Sequence, residues 1–236
     1  MAESKPVAVI TGVGPGLGAA LARRFAQGGY AVAINARRAD YLRSLAEEIR
    51  ATGGQVLEVP ADMGDRAQVE AAFKTIREQL GSPELLLYNA GSGAMGTIID
   101  MTPEQYEAMW RVNGFGSFLS AKAVAPDMIA RGSGTILFTG ATAGVKAGAK
   151  SVGFGPAKFA MRGLMQALAR DLGPQGIHVA WINVDGFIDI PGRDVPFTAE
   201  EMLKPEAIAE TYWHVAHQDR SAWTTELEVR PFKEKF

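Results

Sequence analysis

The sequence predicts an α/β fold, a doubly wound parallel sheet of about seven strands that carries helices on both faces in three layers. Three observations lead to this prediction. Short apolar runs alternate with amphipathic helical patterns along the whole chain. A glycine-rich turn separates the first apolar run from the first helical pattern. No linker or shift in composition divides the 236 residues, so we expect a single domain over residues 1–236.

In the first half of the chain, apolar strands alternate with helices. Leu42, Leu45 and Ile49 recur at the spacing of an amphipathic helix. Asp65 is suited to cap the N-terminus of the next helix, which the Gly81-Ser82-Pro83 segment ends. The predicted strands of this half cover residues 7–10, 30–34, 55–59 and 84–89.

The second half continues the alternation with longer connections. Thr102-Pro103-Glu104 has the residue order of a helix N-terminus. The helix that follows is expected to run to about Ala130, with interruptions at Gly114 and Gly116. The remaining predictions are strands at 135–139, 177–183 and 225–229, loops at 140–155 and 185–197, a strong helix at 156–172, and short helices near 199–203 and 206–217.

Composition and charge argue against several classes of function. The formal net charge is −2 without a basic block, which does not favour nucleic acid or a membrane surface as a partner. The chain has no cysteine, which excludes disulfides and cysteine-based metal or nucleophile sites. His214, His217 and Glu210 share a helical face, but no second cluster supports them, so we expect no metal site. The first strand begins at Val7, so we expect no secretory leader and a cytoplasmic location.

The stretch from Val7 to Gly18 gives the strongest functional signal. It ends in the glycines Gly12, Gly14, Gly16 and Gly18. Glycine suits a tight turn where a Cβ atom would keep a pyrophosphate away from the backbone. The free N–H groups and the positive dipole end of the following helix then favour phosphate binding. We therefore interpret this stretch as the phosphate-binding turn of a Rossmann-type dinucleotide site.

These features together resemble the short-chain dehydrogenase/reductase family, over about residues 6–186 and more loosely to the end of the chain. The Thr-Gly and spaced glycines of its cofactor motif are matched by Thr11, Gly12, Gly16 and Gly18. The family's Asn-Asn-Ala-Gly segment appears as Tyr88-Asn89-Ala90-Gly91, its acid after the third strand as Asp62, and its helix asparagine as Asn113. The resemblance implies a cofactor site formed by Thr11, Gly12, Gly14, Gly16, Leu17, Gly18, Asp62, Met63, Asn89, Ala90, Gly91, Lys158, Gly186 and Ile188.

The residues after the second strand indicate which dinucleotide is bound. An acidic residue there would accept hydrogen bonds from the adenine-ribose 2′-hydroxyl and select NAD. This chain has Ala36 followed by Arg37 and Arg38. A guanidinium pairs well with a 2′-phosphate, so the sequence predicts NADP(H) as the cofactor.

The catalytic positions depart from the family's pattern. The family carries a serine after the fifth strand and, thirteen residues on, a Tyr-x-x-x-Lys motif; here those positions hold Ala141, Phe154 and Lys158. In the family, the tyrosine exchanges a proton with the substrate oxygen and the serine steadies that oxygen. Loss of a general acid costs about 10²–10⁴-fold in rate, so we expect ordinary carbonyl reduction to be impaired.

Three hypotheses for the chemistry remain open. Another group supplies the proton, with Ser151 and Asp185 as candidate substitutes, although both also suit an ordinary loop or turn. Alternatively, hydride adds to a conjugated C=C bond while Asn113, Lys158 or backbone donors stabilise the enolate. The similar 2,4-dienoyl-CoA reductases also lack the tyrosine. In the third hypothesis the chain is a non-catalytic NADP(H)-binding protein, a sensor or an assembly partner.

The resemblance also implies the partners of the chain. The segment 186–225 corresponds to the variable substrate-side region of the family, so a small-molecule substrate is expected there. The family pairs through two long helices, here near 103–130 and 156–172, and we therefore expect a homodimer or homotetramer.

Overall fold

The computed structural model describes residues 5–234, so residues 1–4 and 235–236 of the predicted domain lie outside the described residues. The strands of this part of the chain are β1 (Val7–Thr11), β2 (Ala31–Ala36), β3 (Gln55–Pro60), β4 (Leu85–Tyr88), β5 (Gly134–Thr139), β6 (Ile177–Val184), β7 (Phe187–Ile188), β8 (Met202–Leu203) and β9 (Glu226–Val229). One seven-stranded sheet has the order β3-β2-β1-β4-β5-β6-β9, and all its neighbouring strands are parallel. The predicted doubly wound sheet is therefore confirmed.

Helices cover both faces of this sheet. They are α1 (Leu17–Gln27), α2 (Ala39–Ala51), α3 (Arg66–Gln79), α4 (Pro103–Trp110), α5 (Gly116–Arg131), α6 (Phe154–Leu172) and α7 (Pro205–Ala216). On one face, α1, α2 and α7 form a hydrophobic core that includes Phe25, Leu42 and Tyr212. On the other face, α3, α5 and α6 form a second core that includes Phe73 and Met161. The three predicted layers follow from these two cores.

Local signals set the helix ends where the sequence predicted them. The Asp65 carboxylate accepts a hydrogen bond of 2.9 Å from the Gln68 N–H and caps α3. Thr102 forms a capping box with Gln105 at the start of α4, with Pro103 as the first helical residue. Each cap satisfies backbone N–H groups that have no partner within the helix. Within residues 5–234, no helix is both long and apolar enough to cross a membrane.

The long α-helix is interrupted near Gly114 and Gly116, as predicted, but the chain does not leave the helix there. The chain stays helical from α4 to α5 through a π-helical segment, Arg111–Phe115. A Cβ atom on Gly116 would lie 2.3 Å from the Met63 carbonyl oxygen, so glycine lets this helix approach the turn after β3. The Val112 carbonyl accepts a hydrogen bond from the Tyr88 hydroxyl. A π-helical turn is often found at a functional site, and this one contains Asn113.

Two other predictions need correction. The strong helix begins at Phe154, two residues earlier than predicted; Pro156 is tolerated because the first turn of a helix leaves its N–H groups unpaired. The helix predicted near 199–203 is a single 3₁₀ turn, Ala199–Glu201, followed by β8. Because β8 pairs with β7, the predicted loop at 185–197 also contains a short strand. This pairing joins residues far apart in sequence, so local patterns do not reveal it.

Candidate functional site

A cleft of about 460 Å³ opens at the carboxyl ends of the central strands. Strand order reverses between β1 and β4, which is the usual position of a ligand site in an open α/β sheet. The cleft is lined by Gly12, Val13, Gly14, Asn35, Ala36, Arg37, Arg38, Ala61, Asp62, Met63, Ala90, Gly91, Ser92 and Val112. It therefore brings together predicted cofactor residues from the ends of four strands.

A smaller opening of about 250 Å³ lies over the glycine turn. Gly12, Gly14, Pro15, Gly16, Leu17, Gly18, Asn89, Ile188 and Ile190 line it. Gly12 has φ +68°, and a Cβ atom there would lie 2.5 Å from the Ala90 Cα atom. A Cβ atom on Gly18 would lie 2.6 Å from the Gly12 carbonyl oxygen. Glycine at these two positions is therefore required for β1, α1 and the turn after β4 to meet.

Hydrogen bonds join the two turns that flank this opening. The Thr11 hydroxyl oxygen accepts from the backbone N–H groups of Asn89 and Ala90, each at 3.1 Å. The Asn89 amide nitrogen donates to the Gly12 carbonyl at 3.0 Å, and its oxygen accepts from the Thr139 hydroxyl at 3.1 Å. The predicted residues Thr11, Gly12 and Asn89 thus form one hydrogen-bonded unit.

The mouth of the larger cleft is basic. Arg37 and Arg38 follow β2, are exposed and line the cleft. Asp62 lies opposite them, after β3, with its carboxylate accepting from the Gly64 N–H at 2.8 Å. Asn35, which the sequence analysis missed, donates to the carbonyls of Val59 and Ala61 and so fixes the wall between these turns. A polar residue inside the apolar β2 run was the signal that could have identified it.

Asn113 and Lys158 face a shared space beside Gly91. Asn113 is fully buried, and both hydrogens of its amide are used, donating to the carbonyls of Ser92 at 2.7 Å and Met109 at 2.9 Å. Its amide oxygen has no partner among the described residues. A Cβ atom on Gly91 would lie 3.5 Å from that oxygen and 3.8 Å from the Lys158 Nζ atom. The space therefore holds one unpaired acceptor and one cationic donor.

Lys158 is buried on α6, at the base of the candidate site. Its ammonium donates to the Thr139 carbonyl at 2.9 Å and lies 5.7 Å from the centre of the Phe154 ring. Burial lowers the pKa of Lys158 from 10.5 to about 8. Because an ammonium carries three hydrogens, Lys158 keeps donors for a ligand.

Ala141 and Phe154 stand at the ends of the loop that precedes α6. Ala141 comes directly before a 3₁₀ turn, Thr142–Gly144, and Phe154 is the first residue of α6. The Phe154 ring packs on Gly93, within 3.0 Å of the position of a Cβ atom there. Neither side chain carries a hydroxyl group, so neither can exchange a proton with a ligand.

The two candidate substitutes have local partners. The buried Ser151 hydroxyl donates to the Gly148 carbonyl of its own loop at 2.9 Å. The buried Asp185 carboxylate accepts from the Thr142 hydroxyl and forms an ion pair of 2.9 Å with Arg230. Arg230 was missed by the sequence analysis, because only the pairing of β6 with β9 brings it to Asp185.

The other predicted residues also take defined places. Ile188 lines the opening over the glycine turn, whereas Gly186, with φ +141°, packs on Pro231. Ile190 was missed; its side chain lies 3.1 Å from the position of a Cβ atom on Gly16. Within residues 5–234 no group of three or more His, Cys, Asp or Glu residues is placed to hold a metal ion.

Comparisons with known proteins agree with this geometry. The model of the short chain dehydrogenase family matches residues 6–190. The chain is 36% identical to the short-chain dehydrogenase/reductase eriH of Hericium erinaceus over 180 residues, 74% of this chain and 71% of that protein.

Two solved structures have the same fold. A metagenomic short-chain oxidoreductase in complex with NADP has a TM-score of 0.85 at 29% identity, covering 96% of this chain and 97% of its own. An alcohol dehydrogenase from the archaeon Thermococcus sibiricus, complexed with 5-hydroxy-NADP, has a TM-score of 0.89 at 27% identity over 98% of both chains. The chain therefore belongs to the short-chain dehydrogenase family.

Proposed function

We propose that this chain binds NADP(H) and is an oxidoreductase of the short-chain dehydrogenase type with an altered active site. The observation that carries the cofactor proposal is the pair of guanidinium groups at the cleft mouth, Arg37 and Arg38, beside a glycine turn that excludes side chains. Guanidinium groups suit the 2′-phosphate that distinguishes NADP from NAD. The solved relatives that hold NADP or 5-hydroxy-NADP support the same reading.

The residues present fit such a cofactor along its length. Arg37, Arg38 and Asp62 would hold the adenine end, and the glycine turn would hold the pyrophosphate against the start of α1. Lys158 and Asn113 would face the nicotinamide end across Gly91. When bound, NADPH supplies a hydride to a substrate carbon.

The preferred reaction is reduction of a C=C bond conjugated to a carbonyl group. Hydride addition to such a bond places negative charge on the carbonyl oxygen of the substrate as an enolate, which needs a cationic or N–H donor. Lys158 is suited to this role because its ammonium is buried and, among the described residues, the Thr139 carbonyl uses only one of its hydrogens. Both amide hydrogens of Asn113 are already used, so Asn113 has no donor for the enolate. Its amide oxygen can only accept a hydrogen bond from a donor in the site. Water then delivers the proton to carbon, so no tyrosine is required.

A second candidate is a non-catalytic NADP(H)-binding protein, a sensor or an assembly partner. The observation that favours it is the absence of a hydroxyl group at both Ala141 and Phe154, combined with the local engagement of Ser151 and Asp185. On this hypothesis Lys158 serves only to hold the cofactor.

The decisive experiment is a substrate panel with purified protein. Ketones, alcohols and conjugated enoyl compounds are tested while NADPH oxidation is followed by absorbance. The main proposal expects turnover of an enoyl compound and little of simple ketones. NADPH binding without turnover across the panel would establish the non-catalytic candidate instead.

A double replacement tests the altered site itself. Ala141→Ser with Phe154→Tyr restores the two hydroxyl groups, and we expect it to create ketone reductase activity that the native chain lacks. Phe154→Tyr alone serves as the matched control for the contribution of the acid. Equal ketone reduction by the native and doubly replaced proteins would disprove the assignment of these positions.

We further propose that the chain forms a homodimer or homotetramer, with its substrate held by segment 186–225. An aromatic surface on α4–α5 supports assembly: the Trp110 and Phe115 rings stack at 5.7 Å, and Trp110 and Phe118 are exposed. Phe159, on the second of the two helices expected to pair, is also exposed. Sedimentation of the protein tests the assembly. We also propose that the substrate is a small molecule and that the protein is located in the cytoplasm.

A further inference from the structure

A chain of polar side chains runs from α7 to the glycine turn. The Tyr212 hydroxyl donates to the Thr139 hydroxyl oxygen at 2.7 Å. The Thr139 hydroxyl in turn donates to the Asn89 amide oxygen at 3.1 Å, and the Asn89 amide nitrogen donates to the Gly12 carbonyl at 3.0 Å. The backbone carbonyl of Thr139 also accepts from Lys158 at 2.9 Å. Thr139 therefore contacts both Asn89, which binds the glycine turn, and the buried Lys158.

The Gly12 carbonyl and the Tyr212 hydroxyl stand at the two ends of this chain, and together they give its hydrogen bonds one direction. Tyr212 is fully buried, and burial raises the pKa of its hydroxyl, so it remains a donor at ordinary pH. Since Tyr212 occupies a lone pair of the Thr139 oxygen, the Thr139 hydrogen is aimed at Asn89. The Gly12 carbonyl can only accept, so the Asn89 nitrogen faces Gly12 and the amide oxygen faces the Thr139 hydroxyl.

We propose that Tyr212 is a positioning residue for cofactor binding, acting through Thr139 to hold Asn89 on the glycine turn. This inference rests on the proposed binding of NADP(H). Asn89 lines the opening over the glycine turn together with Ile188, so its orientation shapes a surface that the cofactor would contact. Tyr212 lies outside residues 6–190, which the family model matches. The site thus depends on a helix of the substrate-side segment.

The test removes the hydroxyl groups of Tyr212 and Thr139. Tyr212→Phe and Thr139→Val, singly and together, are compared with the native protein by titration of NADPH fluorescence, and the unfolding free energy is measured without nucleotide. A hydrogen bond of this kind supports roughly a fivefold effect, so we expect Tyr212→Phe to raise the Kd about fivefold. Because both residues act through one chain, the double variant should bind no more weakly than Thr139→Val alone.

Tyr30→Phe is the matched control. The Tyr30 hydroxyl hydrogen-bonds His217, the residue directly after α7, at 3.2 Å, and within residues 5–234 it has no hydrogen bond to the site. It should lower stability without changing the Kd. An unchanged Kd in Tyr212→Phe, an equal rise in Tyr30→Phe, or effects that multiply in the double variant would each refute the positioning role. If the native protein binds no NADPH, the proposed function and this role both fail, which separates that result from the others.

Discussion

Lys158 gives the sharpest test of the site's electrostatics. Burial lowers its pKa from 10.5 to about 8, so the native chain binds a proton there more weakly than the unfolded chain. Each tenfold change in proton affinity is worth about 1.4 kcal/mol, so the buried ammonium costs about 3 kcal/mol of unfolding free energy at pH 7. Between the two pKa values the unfolded chain holds more protons, and stability therefore rises with pH. The cost is complete below pH 8 and disappears above 10.5.

The perturbation is Lys158→Met, which keeps the length of the side chain and removes the charge. At pH 7 the variant avoids the cost of about 3 kcal/mol but loses the bond to the Thr139 carbonyl, worth about 1 kcal/mol. We therefore expect it to be more stable than the native protein by about 2 kcal/mol, and this advantage to shrink by about 2 kcal/mol by pH 9.5.

Urea denaturation without nucleotide at pH 7 and about pH 9.5 measures the unfolding free energy of the native protein and of the variant. Subtracting one from the other at each pH cancels the contribution of titratable groups that both proteins share. Lys74→Met is the matched control, because Lys74 is 76% exposed beside Glu78 on α3. Its difference from the native protein should stay flat with pH. A pH-independent difference for Lys158→Met would refute the assigned burial effect.

Three further predictions concern the turn, the cofactor and a helix cap. Gly12→Ala places a Cβ atom 2.5 Å from the Ala90 Cα atom and should cost more than about 2 kcal/mol by thermal unfolding, whereas Gly14→Ala, which meets nothing within 4 Å, should cost under about 0.5 kcal/mol. Arg37→Asp should shift the ratio of NADPH to NADH affinity towards NADH by about tenfold or more, and an unchanged ratio would remove Arg37 from the site. Asp65→Ala should cost about 1 kcal/mol and Asp65→Asn much less, as measured in urea, because asparagine also caps.

The sequence predicted those parts of the fold that depend on local patterns. The strand at Ile177–Val184 is buried at every position, and its mainly apolar sequence, broken by His178 and Asn183, is typical of a central parallel strand. The caps at Asp65 and Thr102 were predicted because a cap joins a side chain to the backbone N–H group three residues later in the sequence. The glycine turn was also predicted, because its glycines lie close together in the sequence.

The parts that escaped prediction depend on tertiary contacts. The short strands β7 and β8 exist only as partners of each other, and neither has a pattern of its own. The π-helical segment ends directly before Gly116, whose close approach to Met63 the sequence does not reveal. For the candidate site, the residue types were predicted, but the bonds of Asp185 to Arg230 and of Tyr212 to Thr139 join distant segments.

The central position of β1 has a consequence for the order of assembly. Val9 pairs with Ala33 on one side and with Leu86 on the other, and two strands and three helices separate β1 from β4 along the chain. Contacts between such distant segments form slowly, because a long loop must close before they form. The close packing around Gly12 forms only after the turn at Ala90 has packed against the glycine turn. A nucleotide can therefore stabilise only chains that have already assembled this half of the sheet, and it would act on unfolding rather than speed early folding.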